Sequence, residues 1–311
     1  MRVIKVFFKI IIILICLILL ALIIDYARLN IFYSKNKVMY VDAFDVYGND
    51  IGYVPQGITY SSKYGVILQT SYDSKHGVSM IFVSDFKTGL FIKSLKLINI
   101  DGSDNTNHVG GIATDENKVW ITSDYIVNEY SLDDIVKTNN DYVMSEKKND
   151  LYNRGDFCYY NDNILWIGDF FLKPFYNVPN DNPLLLGYDL SSSNDFSIPV
   201  YSVTLPKMVQ GMVITDDNKF VFSRSFTNLV NSDLVIYDNI FDNLNEFLTI
   251  NGDIIPYYKF TNGVSIKIPP MAEGMFYKDN ELYVLFESGS KKYFYAYPKI
   301  NKILKIDIEK S

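Results

Sequence analysis

The sequence predicts an all-β chain, a five-bladed β-propeller, set behind an N-terminal transmembrane helix. Three observations lead there: an unbroken apolar run at Ile10–Ile24, a Gly-containing strand pair that recurs five times, and the lack of convincing amphipathic helices between the copies. At 311 residues, 48% of them hydrophobic, the chain can bury one large core or two small ones. Two cysteines exclude a disulfide framework and a Cys-based zinc site, and two histidines leave almost no room for a His-rich metal centre.

The apolar run comes first. Val6, Phe7 and Phe8 extend it across Lys9, and a helix over residues 6–24 rises about 28 Å, enough for the hydrocarbon core of a bilayer. Arg2 and Lys5 precede it, which predicts a cytoplasmic stub over residues 1–5 and export of the body beyond the helix. Arg28, Lys35 and Lys37 on the far side weaken that orientation without reversing it. A cleaved signal peptide is the competing reading, but it needs small residues just before the cut. Ala27 is preceded by Tyr26 and Asp25, Ala21 has Leu19 two positions before it, and Ile15 spoils a lipid-attachment motif at Cys16. A retained signal-anchor is expected, with a linker over residues 25–37 and the propeller over 38–311. The predicted location is therefore the cell membrane, single-pass, with an extracytoplasmic body.

Charge divides at the same place. Residues 1–37 carry six basic side chains against Asp25, and the remainder holds 23 basic and 35 acidic ones. So acidic a body is repelled by phosphates, which argues against nucleic acid as a partner.

The repeat occupies the rest of the chain. Its copies start at Pro55-Gln56-Gly57-Ile58, His108-Val109-Gly110-Gly111-Ile112, Asn153-Arg154-Gly155-Asp156, Val209-Gln210-Gly211-Met212 and Ala272-Glu273-Gly274-Met275. Each leads through an Asp/Asn/Lys turn to a second apolar strand: residues 65–72, 118–124, 163–169, 219–225 and 281–288. The glycines at 57, 111, 155, 211 and 274 step by 54, 44, 56 and 63 residues, room for four strands each. Four-stranded units at this spacing are propeller blades, since one small sheet cannot bury both faces alone. Further strands are expected at Ser79–Ser84, Asn128–Leu132, Leu185–Leu190 and Ser232–Tyr237, and Asp133–Asn149, polar and with room for a turn of helix, reads as a loop. The last blade lacks an outer strand, which Val38–Val46 can supply to pair the chain ends. A six-bladed ring is the second reading, with a degenerate blade around Phe247–Phe260.

Propeller inner strands line a central channel. The repeat alignment therefore gathers Gln56, His108, Arg154, Gln210 and Glu273 around it, long or charged side chains where packing alone prefers small ones. The ends of the second strands add Ser71, Asp124, Asp169, Arg224 and Glu287. The candidate ligand-binding set is Gln56, His108, Arg154, Gln210, Arg224, Glu273 and Glu287. The bland alternative is that these groups pair with one another across blades. Cys158 reads as a buried core thiol and His76 as a turn residue. Aromatic residues directly after the second strands (Tyr125, Phe170, Phe171, Phe226) supply the rims that sugar-binding grooves use.

The Gly-containing first strand and Trp/Tyr-rich second strand resemble the calcium-dependent propellers of the gluconolactonase, regucalcin and arylesterase group, and NHL-type propellers. The resemblance covers residues 45–308 as blade rhythm. It implies a divalent cation, calcium, bound by a first-strand Glu, a place that Glu273 matches. Gln56, Gly110, Arg154 and Gln210 stand where the group's other ligands are expected, so that ligand set is not reproduced.

Three functions fit. One is a membrane-anchored propeller that binds a ligand (a glycan, cell-wall fragment or peptide) at the channel mouth. The second is a hydrolase of lactonase or glycosidase type, with Glu273, His108, Glu287 and Asp169 as candidate catalytic groups. The third is a protein-interaction scaffold with an inert channel.

Overall fold

A computed structural model describes residues 2–36, 40–178, 181–191, 196–241 and 244–308. One helix, Arg2–Asn36, is followed by five β-sheets, antiparallel apart from one parallel pairing in each of two, arranged as the blades of a propeller. Within the helix, Lys5–Arg28 is long and apolar enough to cross a membrane. The helix continues through the segment expected as a linker as far as Asn36; residue 37 lies outside the described residues.

Blade 1 holds Tyr53–Ser61, Val66–Asp73, Met80–Asp85 and Phe91–Ile98, from the channel outward. Blade 2 holds Gly111–Thr114, Lys118–Ser123, Ile126–Ser131 and Lys147–Asp150, and blade 3 holds Phe157–Asn161, Ile164–Gly168, Leu184–Asp189 and Tyr201–Thr204. Blade 4 is built from Val209–Ile214, Phe220–Arg224, Ser232–Tyr237 and Val264–Ile268. In blade 5, Ala272–Lys278, Glu281–Phe286 and Lys302–Ile306 are completed by Tyr40–Asp45 from the other end of the body. That strand runs antiparallel to Lys302–Ile306, with Tyr40 opposite Ile306 and Asp45 opposite Lys302. The expected closure is therefore present; residues 38 and 39, its first two expected members, lie outside the described residues.

The second strands are apolar because each is covered on both faces by neighbouring blades, so the alternation of a half-exposed strand disappears. Val66–Asp73 is buried at all but its last residue, and Glu281–Phe286 at all but its first. Five hydrophobic clusters result, each at a junction between adjacent blades. Blades 1 and 2 meet through Leu68, Ile81, Ile121 and Tyr130, and blades 4 and 5 through Val221, Leu234, Val284 and Leu304. The others join blade 2 to 3, 3 to 4 and 5 to 1.

The repeated glycines follow from the same geometry. A Cβ on Gly57 would lie 2.9 Å from Gly110 O, and one on Gly111 would lie 2.5 Å from Cys158 N. On Gly211 it would lie 3.0 Å from Gly274 Cα, and on Gly274 2.9 Å from Gln56 O. Inner strands of successive blades approach so closely that only glycine fits between them.

Blade 3 departs from this pattern, and its departure corrects the repeat alignment. Gly155 is a turn residue with φ +71°, not a point of close approach. The position opposite Cys158 N and Phe157 C belongs to Gly111, and Phe157 takes the matching place in blade 3. Its ring fills the space over Gly168, where a Cβ would meet it at 2.0 Å.

Two further differences concern connections. Phe247–Phe260 is not a sixth blade. Leu244–Ile250 and Asp253–Tyr258 form a hairpin whose second strand runs parallel to Tyr201–Thr204, widening blade 3 to six strands. Asn251 and Gly252 turn it with positive φ, as a two-residue hairpin loop requires. The expected loop Asp133–Asn149 holds most of a capped helix, Leu132–Lys137, and the short strand Tyr142–Met144 at the edge of blade 1. Ser131 caps that helix by accepting from the amide of Asp134, and Leu132 and Ile135 anchor it in the core.

Candidate functional site

The channel opens into a cavity of about 630 Å³ lined by side chains from all five blades. Its floor comes from the residues immediately before the close-approach positions. With the register of blade 3 corrected, these are Gln56, Gly110, Asp156, Gln210 and Glu273, and all five line the cavity. Asp156 thus stands where the repeat alignment put Arg154. Arg154 sits two residues earlier, at the height of His108, and both line the wall.

Two carboxyls dominate the floor. Glu273, only 3% exposed, accepts a hydrogen bond on Oε1 from Gln210 Nε2 at 3.1 Å. Glu287, from the end of the second strand, accepts on Oε2 from Gln56 Nε2 at 3.3 Å. Burial raises both well above the usual carboxylate range, and for Glu273 repulsion from Glu287 adds to it. Tyr293, Lys292 and Gln56 beside Glu287 pull its acidity part of the way back. Two like carboxyls in one dry site do not ionise together readily, so the pair tends to hold a proton.

On one wall, Tyr72 stacks on His108 with ring centroids 4.0 Å apart. Lys292 donates to the Tyr72 hydroxyl at 2.5 Å and lies 4.9 Å from the ring centroid. Burial, with Lys292 nearby, holds His108 down at about 4, so it is a neutral imidazole at physiological pH. Elsewhere in the lining Arg154 approaches Asp156 at 3.3 Å and Asp124 at 3.8 Å and lies 5.3 Å from the centre of the Tyr176 ring. Desolvation lifts Asp156 to about 7 despite that guanidinium and an amide bond from Phe170.

Of the side chains predicted from sequence, Gln56, His108, Arg154, Gln210, Glu273 and Glu287 line this one cavity. Asp169 and Arg224 do not. Asp169 is buried behind blade 3, where its carboxylate accepts from the amides of Arg154 at 2.6 Å and Leu184 at 3.1 Å. Arg224 turns outward and donates from Nε to Lys207 O at 3.0 Å. Sequence reasoning misses Lys292, Tyr293 and Tyr176. The first two belong to a 3-10 turn between strands of blade 5, outside the repeat, so no periodic signal marks them. Cys158 is buried and its thiol is pushed up to about 12, which leaves it inert.

The residues do not fit a calcium site. Among the described residues no group of three or more His, Cys, Asp or Glu converges on one point. Moreover Gln56 and Gln210 turn their N–H groups, not their oxygens, toward the two carboxyls.

No family model matches the chain, and no curated protein matches it. Solved structures do. Glutaminyl cyclase of Myxococcus xanthus aligns with a TM-score of 0.50 at 9% identity, over 86% of this chain and 97% of that one. A PQQ-bound aldose sugar dehydrogenase from Streptomyces coelicolor aligns at 0.43 and 14% identity, over 79% and 76%. BamB from Moraxella catarrhalis aligns at 0.34 and 10%, over 81% and 84%. At these identities the likeness concerns the fold alone. The class is a β-propeller behind an apolar N-terminal helix.

Proposed function

We propose that this protein is a membrane-tethered propeller that binds a small polar ligand at its channel mouth on the extracytoplasmic side. A glycan, a cell-wall fragment or a peptide is the class of ligand. The observation that carries this reading is the cavity itself: an open space of about 630 Å³ into which all five blades place polar side chains. A scaffold with an inert channel has no use for such a space. Arg2 and Lys5 ahead of the apolar helix support the orientation. The test is a thermal-shift screen of the full chain in detergent against sugars, muropeptides and short peptides. A ligand of the folded state raises the melting temperature, and Gln210→Ala is expected to reduce that rise. A screen in which none of these classes shifts the melting temperature would count against the proposal.

One observation favours a second reading, hydrolysis. Burial raises both Glu273 and Glu287, which line one cavity, and a carboxyl raised in this way is suited to serve as the general acid in cleavage of a glycoside or lactone. Turnover of an aryl glycoside or a lactone that disappears in both Glu273→Gln and Glu287→Gln would establish it.

A further inference from the structure

The hydrogen-bonding capacity of the channel floor is one-sided. Both protons of Gln56 Nε2 are engaged, by Pro55 O at 2.8 Å and by Glu287. Gln210 Nε2 is directed at Glu273. What remains is chiefly oxygen, with one N–H of Gln210. Among the described residues, Gln56 Oε1 and Glu273 Oε2 receive no donor, although these side chains are only 4% and 3% exposed and both line the cavity. Both side chains line the cavity, so these oxygens are within reach of a ligand that enters it. The charge is one-sided too: Arg154 faces Asp124 and Asp156 on one wall, while Glu273 and Glu287 have Lys292 as their neighbouring cation. A neutral hydroxyl would leave the shared proton of the pair in place, whereas a cation replaces it and lets both carboxyls ionise beside the ligand. A primary ammonium brings three donors, a positive charge and no acceptor of its own.

We propose that the channel floor is a receptor for a primary ammonium group, held by Glu273, Glu287 and Gln56 and carried by an amino sugar or a peptide. This rests on the ligand-binding reading above. His108, backed by the stacked Tyr72 ring, and Tyr176 provide flat surface in the same cavity for the body of such a ligand.

The test uses matched pairs on the full chain in detergent: glucosamine against N-acetylglucosamine, and alanyl-alanine against its N-acetyl derivative. Acetylation removes the charge and keeps the rest of the molecule. At least one free amine is expected to raise the melting temperature while its acetylated partner does not, and the pair that responds tells sugar from peptide. Glu273→Gln and Glu287→Gln should each weaken binding about tenfold or more. The two variants are independent, and the pairs read out on the native protein if either variant fails to fold. Equal shifts from an amine and its acetylated partner would overturn the ammonium assignment and leave ligand binding standing. A calcium-dependent shift lost in Glu273→Gln would overturn it in favour of a metal. A response confined to neutral sugars would likewise refute the ammonium without refuting the cavity's role.

Discussion

A methyl group on Gly274 would sit 2.9 Å from Gln56 O and Ile58 N and 3.0 Å from Gly57 Cα, all backbone atoms that have nowhere to go. Gly274→Ala is therefore expected to destabilise the fold by about 1–3 kcal/mol in urea unfolding, the usual cost of an overpacked contact. The recurrence of these glycines is legible in the sequence, and so is the polar residue before most of them, because five inner strands must all solve the same crowding problem. Blade 3 misleads for the same reason. Gly155 looks like a member of the series, yet Phe157 occupies the crowded position, and the functional neighbour is Asp156. The titration of this site has consequences for stability. Burial lifts Asp156 to about 7 and Asp169 to about 6, and raises Glu273 and Glu287 as well. Unfolded carboxyls lose their protons near pH 4, so above that the folded chain retains protons that the unfolded chain has released. This contribution is greatest on the acid side and is lost as pH rises through the folded values. His108, held down at about 4, works the other way as pH climbs toward the free imidazole value, but it is one group against four. The melting temperature is expected to fall by a few degrees between about pH 5 and about pH 7.5, and Asp156→Asn to flatten that slope.

Among the elements, the second strands are the easiest to read, since covering both faces of a strand leaves an apolar run that no helix period explains. The hairpin of Leu244–Ile250 and Asp253–Tyr258 is harder. Its first strand carries Leu244, Phe247, Leu248 and Ile250 yet is exposed along most of its length, so its apolar content does not announce which sheet it joins. What fixes it is a small set of contacts: Ile250, Ile255 and Tyr257 are buried in the cluster between blades 2 and 3. Ile255→Ala is expected to cost about 2–4 kcal/mol by denaturant titration. If the hairpin merely lies on the surface, the change would be within a few tenths. The helix Leu132–Lys137 is hidden in the sequence because six residues give too little periodicity, and its signal is a cap rather than a pattern.

For the whole molecule, closure is the governing event. Five blades pack in a ring, and the ring is sealed where Tyr40–Asp45 pairs with Lys302–Ile306. A chain ending before Lys302 is expected to lose the cooperative melting transition, because blade 5 then keeps only two strands and blades 4 and 1 each lose a covered face. The apolar helix predicts that the full chain stays with membranes through alkaline washing, whereas a chain starting at Tyr40 is released. The apolar helix also touches the body: Arg28 donates to Leu229 O at 2.8 Å, on the rim of the cavity, and Tyr26 meets Tyr297 with ring centroids 4.3 Å apart. The sealing pair has a consequence in time. The strand nearest the apolar helix, Tyr40–Asp45, is synthesised long before its partner, Lys302–Ile306. At roughly 5–20 residues per second the early strand waits on the order of tens of seconds with an unpaired edge. Every copy that terminates before Lys302 keeps that edge, so the fold itself marks the truncation: only a chain that carries Lys302–Ile306 can hide the edge, and the rest stay open to proteases and chaperones.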